Sequence, residues 1–259
     1  MTVRSCRALA LVACSFACAV VAAEAPPTLA PFAAAAGPQP PAAWRLVTLP
    51  AAKKIPATLM EIASLDGERR LRLQSDGSYG ALVHDLARWT PAPGDTLRWR
   101  WRLDQPLAGA DLRRKEGDDV AVKVCVLFDM PLDGLAFGER TALRIARSLS
   151  SEPLPAATIC YVWDPGLPTG TVLPNAFSQR VRYVVADGKQ APLGQWRAHQ
   201  RNVEADFRRL FGAESAVVPP VIAIAVGADA DNTGGRSLAW LSDVEIRADG
   251  APASATPTQ

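Results

Sequence analysis

Leu97-Arg98-Trp99-Arg100-Trp101-Arg102-Leu103 alternates apolar and cationic residues without a break. Successive side chains of a strand point to opposite faces. The run therefore puts Leu97, Trp99, Trp101 and Leu103 on one face and the arginines on the other. The expectation is a core-facing tryptophan pair under a solvated basic face. Arginines gripping an anionic ligand are the alternative.

Outward from this run, two-residue periodicity recurs. Candidate strands are 45–49, 59–64, 69–74, 79–84, 96–103, 120–128, 158–163, 181–185, 195–199, 221–226 and 237–246. Turn signals separate many of them, among them Asp66-Gly67, Asp76-Gly77, Asp187-Gly188 and Asn232-Thr233-Gly234-Gly235. Many short strands with such turns indicate an all-β fold, an antiparallel β-sandwich of jelly-roll type. Val221-Ile222-Ala223-Ile224-Ala225-Val226 is apolar on both faces and belongs in the middle of a sheet.

Two short helices interrupt the pattern. One is 139–149, with Ala142, Ile145, Ala146 and Leu149 on one side. The other is 203–211, opened by Asn202 as N-cap and ended by Gly212. Glu204 and Asp206 sit early and Arg208 and Arg209 late, which suits the helix dipole.

Residues 1–23 carry Arg4 and Arg7, then an uncharged run from Ala8 to Val21, then Ala22-Ala23. This is the form of a secretory signal peptide cut after Ala23, and the run is short for a membrane span. Leu11-Val12-Ala13-Cys14 offers a lipoprotein alternative. Residues 24–43 are Pro/Ala-rich and read as an extended linker. A single sandwich domain follows over 44–247, and 248–259 read as a disordered tail. The expected location is periplasmic or secreted, with no membrane span after cleavage.

Lys+Arg number 28 and Asp+Glu 26. Without Arg4 and Arg7 the mature chain is neutral, which argues against nucleic acid as partner. Apolar residues are 49% and charged residues 21%, as in ordinary globular chains. Two cysteines, Cys125 and Cys160, remain after the leader. A bridge is possible in an exported protein, but each lies in a β-rich run, and the reading leans to buried free thiols.

No phosphate loop, Cys-x-x-Cys, His-Glu-x-x-His or Gly-x-Ser-x-Gly is present. His84 and His199 have no nucleophile near them in sequence and read as structural. Asp118-Asp119 and Asp129 flank one strand as a glycosidase carboxylate pair would, but turn chemistry explains both places. The densest polar cluster is Asp229-Ala230-Asp231-Asn232-Thr233-Gly234-Gly235. Asp229, Asp231, Asn232 and Thr233 are therefore the ligand-binding candidates. Calcium is the one candidate cofactor, through Asp229, Asp231 and Asp243; Trp240 at the twelfth position excludes an EF-hand. Trp163 and Trp196, near strand ends, are candidates for stacking on sugar rings.

Several blocks in order, Leu97–Trp101, Gly109–Asp119, Val124–Asp129, Tyr161–Trp163, Asp206–Gly212 and Asp229–Thr233, together resemble the exported bacterial family called domain of unknown function 3047. The resemblance implies no catalytic residue. Cys125 stands where relatives are expected to carry an aromatic residue, which counts against a disulfide common to the family. The strand order and the closing Trp240–Ile246 segment also resemble jelly-roll carbohydrate-binding modules. The expected function is non-catalytic binding of a small or carbohydrate ligand at the cell envelope. A polysaccharide-cleaving enzyme and a structural partner of another envelope protein are the alternatives.

Overall fold

The computed structural model describes residues 25–149 and 154–248. The expected leader, 1–23, and the expected tail, 248–259 apart from residue 248, lie outside the described residues.

Twelve strands occur among these residues. In chain order they are β1 (Trp44–Val47), β2 (Leu59–Leu65), β3 (Glu68–Asp76), β4 (Tyr79–Trp89), β5 (Thr96–Gln105), β6 (Lys123–Phe128), β7 (Ala157–Trp163), β8 (Val172–Asn175), β9 (Ser178–Asp187), β10 (Arg197–Asn202), β11 (Val221–Asp229) and β12 (Arg236–Arg247). Helix α1 is Phe137–Leu149 and α2 is Val203–Phe211. The strands form a seven-stranded sheet, β1-β4-β11-β6-β7-β9-β8, and a five-stranded sheet, β10-β5-β12-β3-β2. Pairing is antiparallel except between β7 and β9. The fold is a mainly-β, jelly-roll-like sandwich with two helices.

The core lies between the sheets. Strand β5 contributes Leu97, Trp99, Trp101 and Leu103, all at most 1% exposed, while its arginines face outward. Trp99 stacks on Tyr161 of β7 at 5.0 Å between ring centroids. The buried Trp101 indole needs an acceptor, and Nε1 donates to Asp187 Oδ2 at 2.7 Å. His199 joins the same aromatic group and shares Asp187. Both histidines have structural partners, since His84 Nε2 accepts from Ala30 N at 3.2 Å.

Strand β11 is flanked by β4 and β6. Its Ile224 and Val226 enter the core, and Ala223 and Ala225 belong to a second apolar cluster on the sheet's other face. Gly227 lets β11 approach β4 closely: a Cβ there would sit 2.4 Å from the Gly80 carbonyl oxygen. Helix α2 is capped as expected, Asn202 Oδ1 accepting from Ala205 N at 2.8 Å.

Two expectations are corrected. Residues 25–43 are not a free linker over their described length. Leu29 and Phe32 are buried in the core, Phe32 stacks on Trp44, and Trp44 Nε1 donates to Ala30 O at 2.8 Å. The same strap reaches the other sheet through Pro38 O, which accepts from Ile62 N. Extended proline-rich backbone packs readily once a few apolar side chains find a site. The second correction concerns Cys125 and Cys160. They are directly opposed on β6 and β7 and joined as a disulfide, against the lean to free thiols. Strand register, which the sequence does not state, brings them together.

Candidate functional site

The outer face of the seven-stranded sheet is apolar where most exposed sheet faces are polar. Alternation along β4, β6, β7, β9 and β11 turns Val83, Cys125, Cys160, Tyr183 and Ala225 away from the main core. These residues floor an open groove with a cavity volume of about 610 Å³. Its walls include Leu49 and Ile55 before β2, Leu154 and Pro155 before β7, and Phe177 between β8 and β9. The disulfide ties two strands of the floor together.

One end of the groove is polar. Register places Lys123 at the start of β6, beside Gly227 near the end of β11 and two residues from Asp229. A lysine in an otherwise apolar strand must find a counter-charge. Lys123 Nζ lies 2.5 Å from Asp229 Oδ2, and Val120 N donates to Asp229 Oδ1 at 2.8 Å. Burial opposes the Lys123 charge, but Asp229 beside it, together with Tyr79 and Tyr183, outweighs burial and lifts the ammonium above its usual range. The Tyr79 ring lies 5.2 Å from the same ammonium.

Asp118 adjoins this pair. It is 5% exposed and lines the groove. Oδ2 accepts from Asn175 Nδ2, which also donates to the Tyr183 hydroxyl at 2.9 Å. Oδ1 has no hydrogen-bond partner among the described residues. Burial pushes the Asp118 carboxyl up to about 6; Asp229 adds to the rise, while Tyr183, Lys123 and Asn175 oppose it. Gly117 before it is required by a close approach, since a Cβ there would meet Asp111 N at 2.8 Å.

Asp231 is half-buried on the same wall. Burial raises its carboxyl, and the charges of Asp229 and Asp119 raise it further. The loop that carries it is held by Asp119, which is 1% exposed. Asp119 accepts from Asn232 N at 3.2 Å, Asn232 Nδ2 at 3.1 Å, Thr233 N at 2.6 Å and Thr233 Oγ1 at 2.7 Å.

Residues 42–245 match the family described as "Protein of unknown function (DUF3047)". The chain belongs to this family. The matched DUF3047 segment begins at the end of the strap and contains every residue of the groove's polar end. No curated protein matches the sequence. Solved structures similar to this chain include two. One is a family 29 carbohydrate-binding module mutant complexed with cellulohexaose, 12% identical, TM-score 0.36, covering 87% of this chain and 94% of that one. The other is the adhesin domain of Lys-gingipain from Porphyromonas gingivalis, 11% identical, TM-score 0.36, covering 85% and 99%.

Against this DUF3047 fold the sequence candidates separate. Asp229, Asp231 and Asn232 line the groove. Asp229, however, is committed to Lys123, and Thr233 to Asp119. Trp163 is 2% exposed and packs in the core against Trp101, so it presents no ring to a sugar. Trp196 lies on the outer face of the five-stranded sheet. Arg70 and Arg100 each sit 5.3 Å from its ring, and Nε1 donates to Asp66 at 3.2 Å. Asp243 sits in a bulge of β12 beside Arg70 and Arg100. It is therefore in the other sheet from Asp229 and cannot join it as a calcium ligand. Among the described residues no group of three or more His, Cys, Asp or Glu side chains is arranged to hold a metal.

Sequence reasoning missed Lys123, Asn175, Tyr183 and Tyr79, and assigned Asp118 to a turn. The available signal was Lys123, the one charge inside Val120–Phe128.

Proposed function

We propose that this chain is a non-catalytic binding protein of the cell envelope and that the outer-sheet groove holds a small or carbohydrate ligand. The groove itself carries this reading. Its volume lies in the range of small-molecule sites, and an apolar floor with a few convergent polar groups is what such sites share. Tyr79, Tyr183 and Phe177 supply aromatic surface, and Asp231 and Asn175 supply polar contacts for an oriented ligand. Among the described residues no helix is long and apolar enough to cross a membrane.

The test is a glycan array and a small-molecule thermal-shift panel on the chain from residue 24, run beside Ala225→Trp, which fills the floor. A hit lost in Ala225→Trp supports the groove. Hits that survive it place binding elsewhere. One observation favours a second reading, polysaccharide cleavage: Asp118, with its carboxyl near 6, stands in the groove as a general acid would. Release of reducing ends that disappears in Asp118→Asn would establish that reading instead.

A further inference from the structure

The groove is polarised along its length. Strand β6 runs from Lys123 at the polar end to Leu127 at the apolar end, about 13 Å at the rise of a β-strand. At the apolar end Leu127 and Val181 of β9 line the cavity, with Leu154 and Pro155 above the sheet. At the polar end three carboxyls, Asp118, Asp229 and Asp231, line it with Lys123.

The charges there do not balance. Lys123 is the cation that acts on both Asp118 and Asp231, and Asp229 already holds it. Asp119 adds a further negative charge behind the loop. Asp118 is 95% buried by its 5% exposure, and its Oδ1 accepts no hydrogen bond among the described residues. Such an oxygen costs free energy until a donor reaches it. Arg45 and Lys53 also line the groove, but Arg45 is engaged with Asp85 at 2.8 Å and Lys53 is exposed.

Given that the groove is a binding site, we propose that it takes an amphipathic cation, its apolar body along the floor and a protonated amine against Asp231 and Asp118. The amine supplies both what the polar end lacks: positive charge and hydrogen-bond donors. An ammonium carries three donors and no acceptor, so it suits a wall of carboxylates. A carboxylate or phosphate headgroup would meet Asp118, Asp229 and Asp231 at like charge. The apolar floor selects against a small hydrated ion, which would gain nothing from Val83, Ala225 and Leu127.

The test is calorimetric titration of the chain from residue 24 at pH 7.5 with octylammonium and octanoate below their micellar concentrations and 1-octanol below its solubility limit. Octylammonium is expected to bind at least tenfold tighter than either of the others, and hexylammonium more weakly than octylammonium. Asp231→Asn and the near-isosteric Asp118→Asn are each expected to erase most of that preference, octylammonium losing more affinity than 1-octanol in both. Equal or tighter binding of octanoate overturns the proposal. So does an amine preference that survives in both variants, or full displacement of octylammonium by millimolar calcium with no dependence on chain length. If a panel ligand is lost in Ala225→Trp but octylammonium does not bind, the groove stands and the cationic ligand falls. If Ala225→Trp affects nothing in the panel or the titrations, the groove reading itself falls.

Discussion

Lys123 and Asp229 meet at 2.5 Å across β6 and β11, although 106 positions separate them in sequence. Both are over nine-tenths buried, so each stabilises the fold only while the other is present. Lys123→Met leaves Asp229 buried without its counter-ion and is expected to destabilise the chain by about 3–5 kcal/mol. The double variant Lys123→Met, Asp229→Leu is expected to recover more than half of that loss. Urea titrations of the two variants and the wild type measure both quantities, and a double variant as unstable as the single one would contradict the pairing.

Asp118 makes stability depend on pH with an unusual sign for a carboxyl. Its folded affinity, about 6, stands above the ordinary carboxylate value of 3.8. Between those values the folded state binds more protons than the unfolded state, so stability falls as pH rises through the window. The groups facing Asp118 are Asn175, Tyr183, Lys123 and Asp229. Asp118→Asn removes this contribution and is expected to be more stable than wild type at pH 7.5 by about 1–2 kcal/mol. Near pH 4 the two should agree. Paired denaturation curves from pH 4 to 7.5 read the difference, and a constant offset across the range would contradict it.

Asp119 and Asp231, two residues of one cluster, are expected to behave in opposite ways. Asp119→Ala strips four donors of their acceptor and is expected to cost about 2–4 kcal/mol and to open the 231–235 loop to proteolysis. Asp231→Ala is expected to cost less than about 1 kcal/mol and to reduce ligand-induced stabilisation. Thermal melts with limited proteolysis separate the two; equal losses of stability would show that Asp231 also serves the fold.

The disulfide closes a separation of 35 residues. Alkylation of unfolded, unreduced protein is expected to add nothing to its mass. Cys125→Ala with Cys160→Ala is expected to cost about 2–4 kcal/mol in denaturant titrations. Two alkylated thiols in the unreduced chain would show the bridge to be absent.

What could be read from sequence was the part that repeats. The alternation of Leu97–Leu103 survives intact because one face of β5 is core and the other is wet. Asn202 announced α2 because capping is decided within four residues. Strand β8 escaped notice: it is four residues long, lies at a sheet edge and contains Pro174. The strap escaped because its prolines dominate the composition while Leu29 and Phe32 do the packing. The groove escaped for a different reason. Its floor uses every second residue of five strands, and these residues look like ordinary core until the sheet order is known. Asp118 and Asp119 read as one turn, yet one faces the groove and the other ties down the loop.

The polar end of the groove draws on residues 79, 118, 123, 175, 183, 229 and 231, taken from strands and loops across most of the chain. No continuous peptide contains even half of its chemistry. A fragment or a grafted loop from this protein would therefore not rebuild this polar end. The site can pass to another protein only with the whole seven-stranded sheet, and during folding it exists only after the most distant strands have paired.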